Sequence, residues 1–280
     1  MTLLAVERIK LFTTRSPWWC AAAALAIVIG FAALMAGTAQ TDAQVSVGSS
    51  QFGYDFGLTV IMVLAALSIT TEYRFGTIKT TFLAAPNRTK VLLAKTAVVA
   101  LLALLVGEVA AFGALGVTAL MAPSADLALD SGADWAQVAG VGVVYALATV
   151  IAVAVGGLVR HSAGAISLLL IYAMVAEPLV QIIPRVGDDI YQWLPFNVVE
   201  KFLSGDGATR GAASAGPPLS TSTLSQGWAL AYFAGLAAVL LATAIMVARR
   251  RDHDGSRGKR ARVVSGAARA LVVVGKRSWP

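Results

Sequence analysis

The chain has 280 residues, of which 58% are hydrophobic and 13% are charged, and its mean hydropathy is +0.75. Soluble domains carry about 25% charged residues, so this composition excludes a soluble globular protein and predicts an all-α integral membrane protein. The net charge is +7, yet residues 249–280 alone carry +8, because they hold ten Lys/Arg and two Asp. Residues 1–248 therefore carry −1, which predicts no nucleic-acid partner for the membrane body.

Residues 1–17 predict a helix that lies in the membrane interface, because charged side chains stand among apolar ones such as Ile9 and Phe12. The charged residues of this segment are Glu7, Arg8, Lys10 and Arg15. Pro17 is expected to turn the chain into a first membrane span. Trp18 and Trp19 follow, where an aromatic belt is expected.

Six long apolar runs follow, and each predicts a transmembrane helix. They cover roughly residues 18–36, 56–71, 91–121, 135–159, 162–183 and 226–248. The first run also has features of a cleavable signal peptide, but it is longer than a usual signal core. The expected organisation is therefore an interfacial helix at 1–17, a six-span domain at 18–248 and a basic tail at 249–280.

The segments that connect these runs alternate in charge. Lys and Arg predominate in segments 1–17, 72–90, 160–161 and 249–280, whereas acidic residues predominate in segments 37–55, 123–134 and 184–225. The positive-inside rule therefore predicts that both termini and residues 72–90 are cytoplasmic. The richness in Ala, Val and Gly is typical of a GC-rich bacterial source, so we expect a multi-pass protein of a bacterial plasma (inner) membrane.

The segment Thr70–Lys95 is a polar, basic island between the second and third runs. Gly76-Thr77 predicts a turn into a short helix, and Pro86-Asn87 predicts its end. Three apolar side chains recur at i, i+3 and i+7, which places them on one face of that helix: Phe75, Ile78 and Phe82. A short amphipathic helix between two spans predicts a mechanical contact on that side of the membrane.

No motif for catalysis, nucleotide binding or metal binding occurs in the sequence. The string Gly255–Lys259 lacks the spacing of a P-loop, and the HExxH and CxxC motifs are absent. The two histidines, His161 and His253, lie outside the apolar runs, where they cannot activate a nucleophile within a span. We therefore expect no catalytic residue, no metal site and no cofactor on this chain.

Ionisable residues inside apolar runs are costly in hydrocarbon and are functional candidates. Lys95 lies near the cytoplasmic end of its run, so we expect its side chain to reach the interface. Glu108 lies deeper, where it either lines a cavity or pairs with a neighbour. Glu177 precedes Pro178, so it either marks a helix break at the mouth of a pathway or reaches the outer interface.

The Thr70–Lys95 segment, in this six-span setting, resembles the permease subunits of type 2 ABC transporters. In that family an acidic residue precedes a Gly-Thr pair, a short helix, a Pro with a basic residue, and a Lys that enters the third span. The matching residues are Glu72-Tyr73-Arg74-Phe75-Gly76-Thr77-Ile78, Pro86-Asn87-Arg88-Thr89 and Leu93-Ala94-Lys95. The string Trp193-Leu194-Pro195-Phe196 is similar to the family's short re-entrant helices between spans five and six. The resemblance covers about residues 1–248.

The resemblance implies the membrane subunit of an ATP-driven exporter, paired with a second permease copy or a homologous permease. Two separate ABC ATPase subunits would hold ATP and Mg and would bind a coupling helix at 74–85. The implied coupling residues are Glu72, Arg74, Phe75, Gly76, Thr77, Ile78 and Phe82. Spans two and five line the family's pathway, which implies a hydrophobic or amphipathic cargo such as a drug, lipid or peptide. The implied pathway or intramembrane polar residues are Thr59, Ser68, Glu108, Ser167 and Glu177.

Two questions stay open at the level of the sequence. The chain also fits an ATP-independent membrane protein, either a secondary transporter or a membrane-anchored assembly or sensor protein, in which Glu177-Pro178 would break a helix. The basic tail is either a solvated arm attracted to anionic lipid or a helix over Val263–Val274 on the membrane face.

Overall fold

The computed structural model describes residues 3–77, 81, 87–205 and 220–275, without the side chains of Arg88 and of residues 251–275. Within these residues the protein consists of helices and has no strand, which confirms the predicted all-α class. The α-helices are α1 (Leu3–Thr13), α2 (Ser16–Thr38), α3 (Val47–Ser50), α4 (Tyr54–Phe75), α5 (Arg88–Met121), α6 (Gly132–Val159), α7 (Ser162–Ile171), α8 (Glu177–Val180), α9 (Gly187–Tyr191), α10 (Pro195–Ser204) and α11 (Gln226–Gly275).

Six segments are long and apolar enough to cross a membrane, which confirms the six predicted spans. They are Ser16–Thr38, Val47–Phe75, Thr89–Met121, Gly132–Val159, Ser162–Val180 and Gln226–Arg250. The second span is longer than predicted, because the short helix α3 precedes α4. α1 forms within residues 1–17, and its location in the membrane interface stays a prediction.

α6 lies at the centre of the bundle and packs against α4, α5, α7, α10 and α11. In its apolar window 67% of the residues are buried, against 17% in the first, fifth and sixth spans. Small residues allow this close packing, since a Cβ atom on Gly107 of α5 would lie 2.8 Å from the Cα of Gly142. Tyr145 is buried in this core and donates a 2.6 Å hydrogen bond to the carbonyl oxygen of Tyr54. The central helix thus positions α4 and α5, which carry part of the candidate site.

The fifth span is an interrupted helix. A π-helix at Tyr172–Ala176 separates α7 from α8, and Pro178 lies in the first turn of α8. Such π-helical turns disturb the regular backbone hydrogen bonding and are frequent at functional sites. The short helices α9 and α10 follow where the sequence predicts re-entrant helices, and α10 packs against α6 and α11. Whether they dip into the bilayer stays a prediction.

α11 continues beyond the sixth span as one helix to Gly275. This backbone agrees with the helical interpretation of the basic tail, although the helix begins in the span and not at Val263. The side chains after Arg250 lie outside the described part of the chain. Contacts of the tail with lipid, and the domain boundaries at residues 17 and 248, therefore stay predictions.

Candidate functional site

Four charged side chains form a cluster where α1, α4 and α5 meet. This charge cluster comprises Glu7, Lys10, Glu72 and Lys95. The Nζ atom of Lys95 lies 2.8 Å from Oε2 of Glu7 and 3.0 Å from Oε1 of Glu72. The Nζ atom of Lys10 lies 2.9 Å from Oε1 of Glu7 and 3.5 Å from Oε1 of Glu72. Two carboxylates and two ammonium groups therefore compensate each other's charge.

Three helices contribute to the charge cluster. Glu7 and Lys10 are three residues apart on α1, so they share a face, whereas Glu72 lies in the last turn of α4. Lys95 lies about two turns into α5. The side chains of Glu7 and Lys95 are 4% and 7% exposed. Removal of one partner from such a buried ion pair costs about 3–5 kcal/mol, so the cluster holds the three helices in one arrangement.

The two α1 groups of the charge cluster are shifted toward their charged forms. Burial raises the pKa of Glu7, but the charge and hydrogen bond of Lys95, assisted by Lys10, outweigh burial and lower this pKa below its ordinary value. Burial lowers the pKa of Lys10, but the hydrogen bond with Glu7 and the charge of Glu72 outweigh it and raise this pKa. Both groups are therefore charged at neutral pH.

Lys10 also connects the charge cluster to the chain beyond α4. Its Nζ atom donates a 3.1 Å hydrogen bond to Oγ1 of Thr81, and this hydroxyl donates to the carbonyl oxygen of Thr77 at 3.1 Å. A cavity of about 380 Å³ lies beside these groups, and Thr71 and Thr77 contribute to its wall. α1 is thereby joined to the segment that the sequence predicts to be the coupling helix.

The chain changes direction at the end of α4. Gly76 adopts a left-handed conformation with φ of 72°, which favours glycine, and it ends the helix directly after Phe75. This geometry agrees with the predicted turn at Gly76-Thr77. Phe75 is 72% exposed, and the guanidinium carbon of Arg74 lies 5.6 Å from the centroid of its ring.

The structure corrects the bounds of the predicted coupling helix at 74–85. Arg74 and Phe75 belong to α4, because the left-handed Gly76 ends that helix after them. Ile78 and Phe82 lie outside the described residues. The shared apolar face of Phe75, Ile78 and Phe82 therefore stays a prediction.

The side chain of Lys95 is buried and paired with two carboxylates, an arrangement that the sequence did not predict. Whether it also lies at the membrane interface stays a prediction. It also donates a long hydrogen bond of 3.5 Å to the carbonyl oxygen of Ser68.

The sequence interpretation missed Glu7 and Lys10 as site residues. Their spacing of three residues on one face of α1 was the available signal.

The hydroxyl residues predicted to line a pathway have separate surroundings. Ser68 contributes to the cavity beside the charge cluster, and its hydroxyl donates to the carbonyl oxygen of Ala65 at 2.7 Å. Thr59 lies about two and a half turns earlier on α4, and its hydroxyl donates to the carbonyl oxygen of Asp55 at 3.0 Å. Ser167 is exposed on α7. A pathway lined by these residues stays a prediction.

The two intramembrane glutamates differ in their surroundings. Glu108 is half-buried and packs against Gly142 of α6, where a Cβ atom would collide with its carboxyl group. Glu177 is only 2% exposed, and whether it lies at the outer interface stays a prediction. The π-helix directly before Glu177 supports the other interpretation of this residue, a break in the helix.

The carboxylate of Glu177 caps the short helix α10. Its Oε1 atom accepts the backbone N–H of Asn197 at 2.7 Å, in the first turn of α10, where backbone N–H groups lack partners within the helix. The side-chain amide of Asn197 donates to the carbonyl oxygen of Tyr191 at 2.9 Å. Glu177 and Asn197 thus join the end of the fifth span to α9 and α10.

Comparison with protein families matches residues 3–176 to the family described as ABC-2 family transporter protein. The match covers more than half of the chain and includes the charge cluster and the segment after α4. The chain belongs to the ABC-2 family of transporter proteins. This ABC-2 protein is the membrane-transport component of an ABC system and not its ATPase. No curated protein matches the chain.

Proposed function

We propose that this ABC-2 protein is the permease subunit of an ATP-driven exporter of a hydrophobic or amphipathic cargo. It would lie in a bacterial plasma (inner) membrane with both termini and α1 on the cytoplasmic side. It would pair with a second permease copy or a homologous permease, and two ABC ATPase subunits would supply ATP and Mg. The observation that carries the proposal is the hydrogen bond from Lys10 to Thr81. This bond links the predicted coupling segment to the charge cluster between α1, α4 and α5.

In this proposal, the charge cluster transmits movement from the ATPase to the spans. The ATPase contacts the exposed ring of Phe75 and the segment that follows it. A shift of Thr81 moves Lys10, which contacts both carboxylates of the cluster. Separating Lys95 from those carboxylates costs several kcal/mol, so α1, α4 and α5 shift together and the ion pairs stay intact.

The shift of α4 reaches the fifth span directly, because α4 packs against α7. The fifth span has an apolar face that the rest of the bundle does not cover. Its residues Leu168, Ile171 and Val175 are about half exposed. An apolar face of this kind suits either an apolar cargo or the second permease. Thr59, Ser68 and Ser167 would provide the few polar contacts along the pathway.

The variant Phe75→Glu tests ATPase docking. Co-expression of the wild-type chain with its ATPase should yield a stoichiometric complex, and the variant should bind the ATPase about tenfold more weakly, since exposed aromatic anchors often dominate interfaces. Leu120→Glu is the matched control, because Leu120 is 83% exposed near the opposite end of α5.

Undiminished ATPase binding by Phe75→Glu would contradict docking at this segment. A reproducible absence of any ATPase from intact wild-type complexes would favour the ATP-independent alternative, a secondary transporter or an assembly or sensor protein. The interrupted fifth span is the observation that suits that alternative.

A further inference from the structure

α1 forms an apolar groove with α5 on a different face from its charge-cluster residues. This α1–α5 groove has a volume of about 570 Å³, and its lining includes Leu4, Arg8, Phe12, Ala97, Leu101 and Leu105. Leu4, Arg8 and Phe12 recur every four residues on α1, so they form one stripe along the helix. In the described part of the chain, Arg8 is the one charged residue that lines this groove.

Arg8 is available for a ligand at the groove. The two oxygens of the adjacent Glu7 are already bound by Lys10 and Lys95. Arg8 is exposed and has no ion pair with any residue in the described part of the chain. A free guanidinium at an apolar groove is suited to a phosphate group, which it can bind through two parallel hydrogen bonds.

The charged and apolar parts of the α1–α5 groove are separated along α5. Arg8 follows Glu7, which binds Lys95, so the charged part lies near the beginning of α5. Leu101 and Leu105 lie about 9 and 15 Å further along this helix, and they are 59% and 54% exposed. A phospholipid has the same arrangement, with a phosphate at the interface and acyl chains extending into the bilayer.

We propose that the α1–α5 groove binds one anionic phospholipid, with its phosphate on Arg8 and an acyl chain along Leu101 and Leu105. The lipid belongs to the leaflet on the α1 side, which is the anionic leaflet in the proposed orientation. Val98 lines both this groove and the cavity beside the charge cluster. The bound lipid therefore stabilises the packing of α1 on α5 and, through it, the charge cluster.

Native mass spectrometry of the purified full-length chain, titrated with phosphatidylglycerol or phosphatidylcholine, tests this proposal. Arg8→Gln should weaken the tightest phosphatidylglycerol site about fivefold, or about 1 kcal/mol. It should weaken phosphatidylcholine binding by a smaller factor, because the cationic choline group offsets the charge of the phosphate. Arg15→Gln is the matched control, since Arg15 is an exposed arginine that follows α1 and does not line the groove. The basic tail is present in the wild type and in every variant, so lipid bound by the tail contributes equally to each measurement and does not affect the comparison.

A second variant, Ala97→Trp, fills the groove and keeps Arg8. It should weaken phosphatidylglycerol binding by a similar factor, with folding checked by gel filtration. Equal losses in Arg8→Gln and Arg15→Gln would reveal diffuse charge attraction, and unchanged binding in Ala97→Trp would overturn the groove as the site. A change in permease pairing or ATPase binding without a change in lipid binding would assign the groove to a protein partner and overturn the proposal. Because lipid binding is measured on the isolated chain, its failure leaves the ATPase test on Phe75 unaffected.

Discussion

Buried carboxylates lie at both ends of the helical bundle, and they are stabilised in different ways. In the charge cluster, Glu7 and Glu72 contact two ammonium groups at 2.8–3.5 Å. At the opposite end of the spans, Glu177 caps α10 through a backbone N–H group, and no ion pair in the described part of the chain involves it. The first site depends on charge pairing, whereas the second depends on hydrogen-bond acceptance.

This difference separates two structural roles. The charge cluster connects three helices and the segment after α4, so it is suited to transmit movement without coming apart. Glu177 connects the end of an interrupted span to the short helix α10, so it sets the position of that helix. Substitutions that remove charge should therefore affect the two sites to different extents.

Lys95→Met should have the largest effect on stability. It leaves Glu7 and Glu72 without their most buried cation, which should lower the free energy of unfolding by about 3–5 kcal/mol. Denaturant unfolding of the solubilised protein measures this loss. Lys90→Met, at an exposed lysine on the same helix, should change stability by less than about 0.5 kcal/mol. A loss below about 1 kcal/mol for Lys95→Met would contradict the charge cluster as a structural unit.

Glu177→Ala should have an intermediate effect, because it removes the cap of α10. The expected loss is about 1–2 kcal/mol in the same unfolding measurement. Glu177→Gln keeps an acceptor oxygen and should lose about 0.5 kcal/mol or less. If both variants lose the same amount, the negative charge is required there too, and the proposed difference between the two ends of the bundle is wrong.

The pH dependence that Glu7 contributes to stability should be the smallest of these effects. The pKa of Glu7 is lower in the folded protein than its ordinary value of 4.5. The unfolded chain therefore binds a proton first as the pH falls, and the stabilisation present above about pH 4.5 is lost as the pH drops through the folded pKa. The free energy of unfolding of Glu7→Gln should therefore fall less steeply than that of the wild type between about pH 7 and 3.5. Identical slopes would contradict a paired Glu7 carboxylate.

The spans could be predicted from the sequence because each one is a local property. A run of about 20 apolar residues is sufficient to indicate a membrane helix, and Gly76 indicates its turn because a left-handed residue favours glycine. The interruption of the fifth span was only suggested by Pro178. The π-helix lies before that proline, where the residues Tyr172–Ala176 have no distinctive local pattern.

The pairing within the charge cluster could not be predicted, because its residues are far apart in sequence. Glu7 and Lys95 belong to helices separated by two spans, and their contact depends on how α1 packs against α5. Considered alone, Lys95 near a helix end predicts a side chain that reaches the membrane interface and gives no sign of its partners. The capping of α10 by Glu177 depends in the same way on tertiary packing.

The coupling role of the charge cluster is tested most directly with the variant Lys10→Met. The measurement is the rate of ATP hydrolysis by the purified complex of the variant permease with its ATPase. Lys10 is 37% exposed, so its ion pairs contribute about 1 kcal/mol or less to stability, and the variant should fold. It removes the bond to Thr81. We expect normal ATPase stoichiometry with permease-dependent stimulation of hydrolysis reduced about fivefold, against no change in Lys90→Met. Wild-type stimulation in a folded Lys10→Met complex would contradict transmission through the charge cluster.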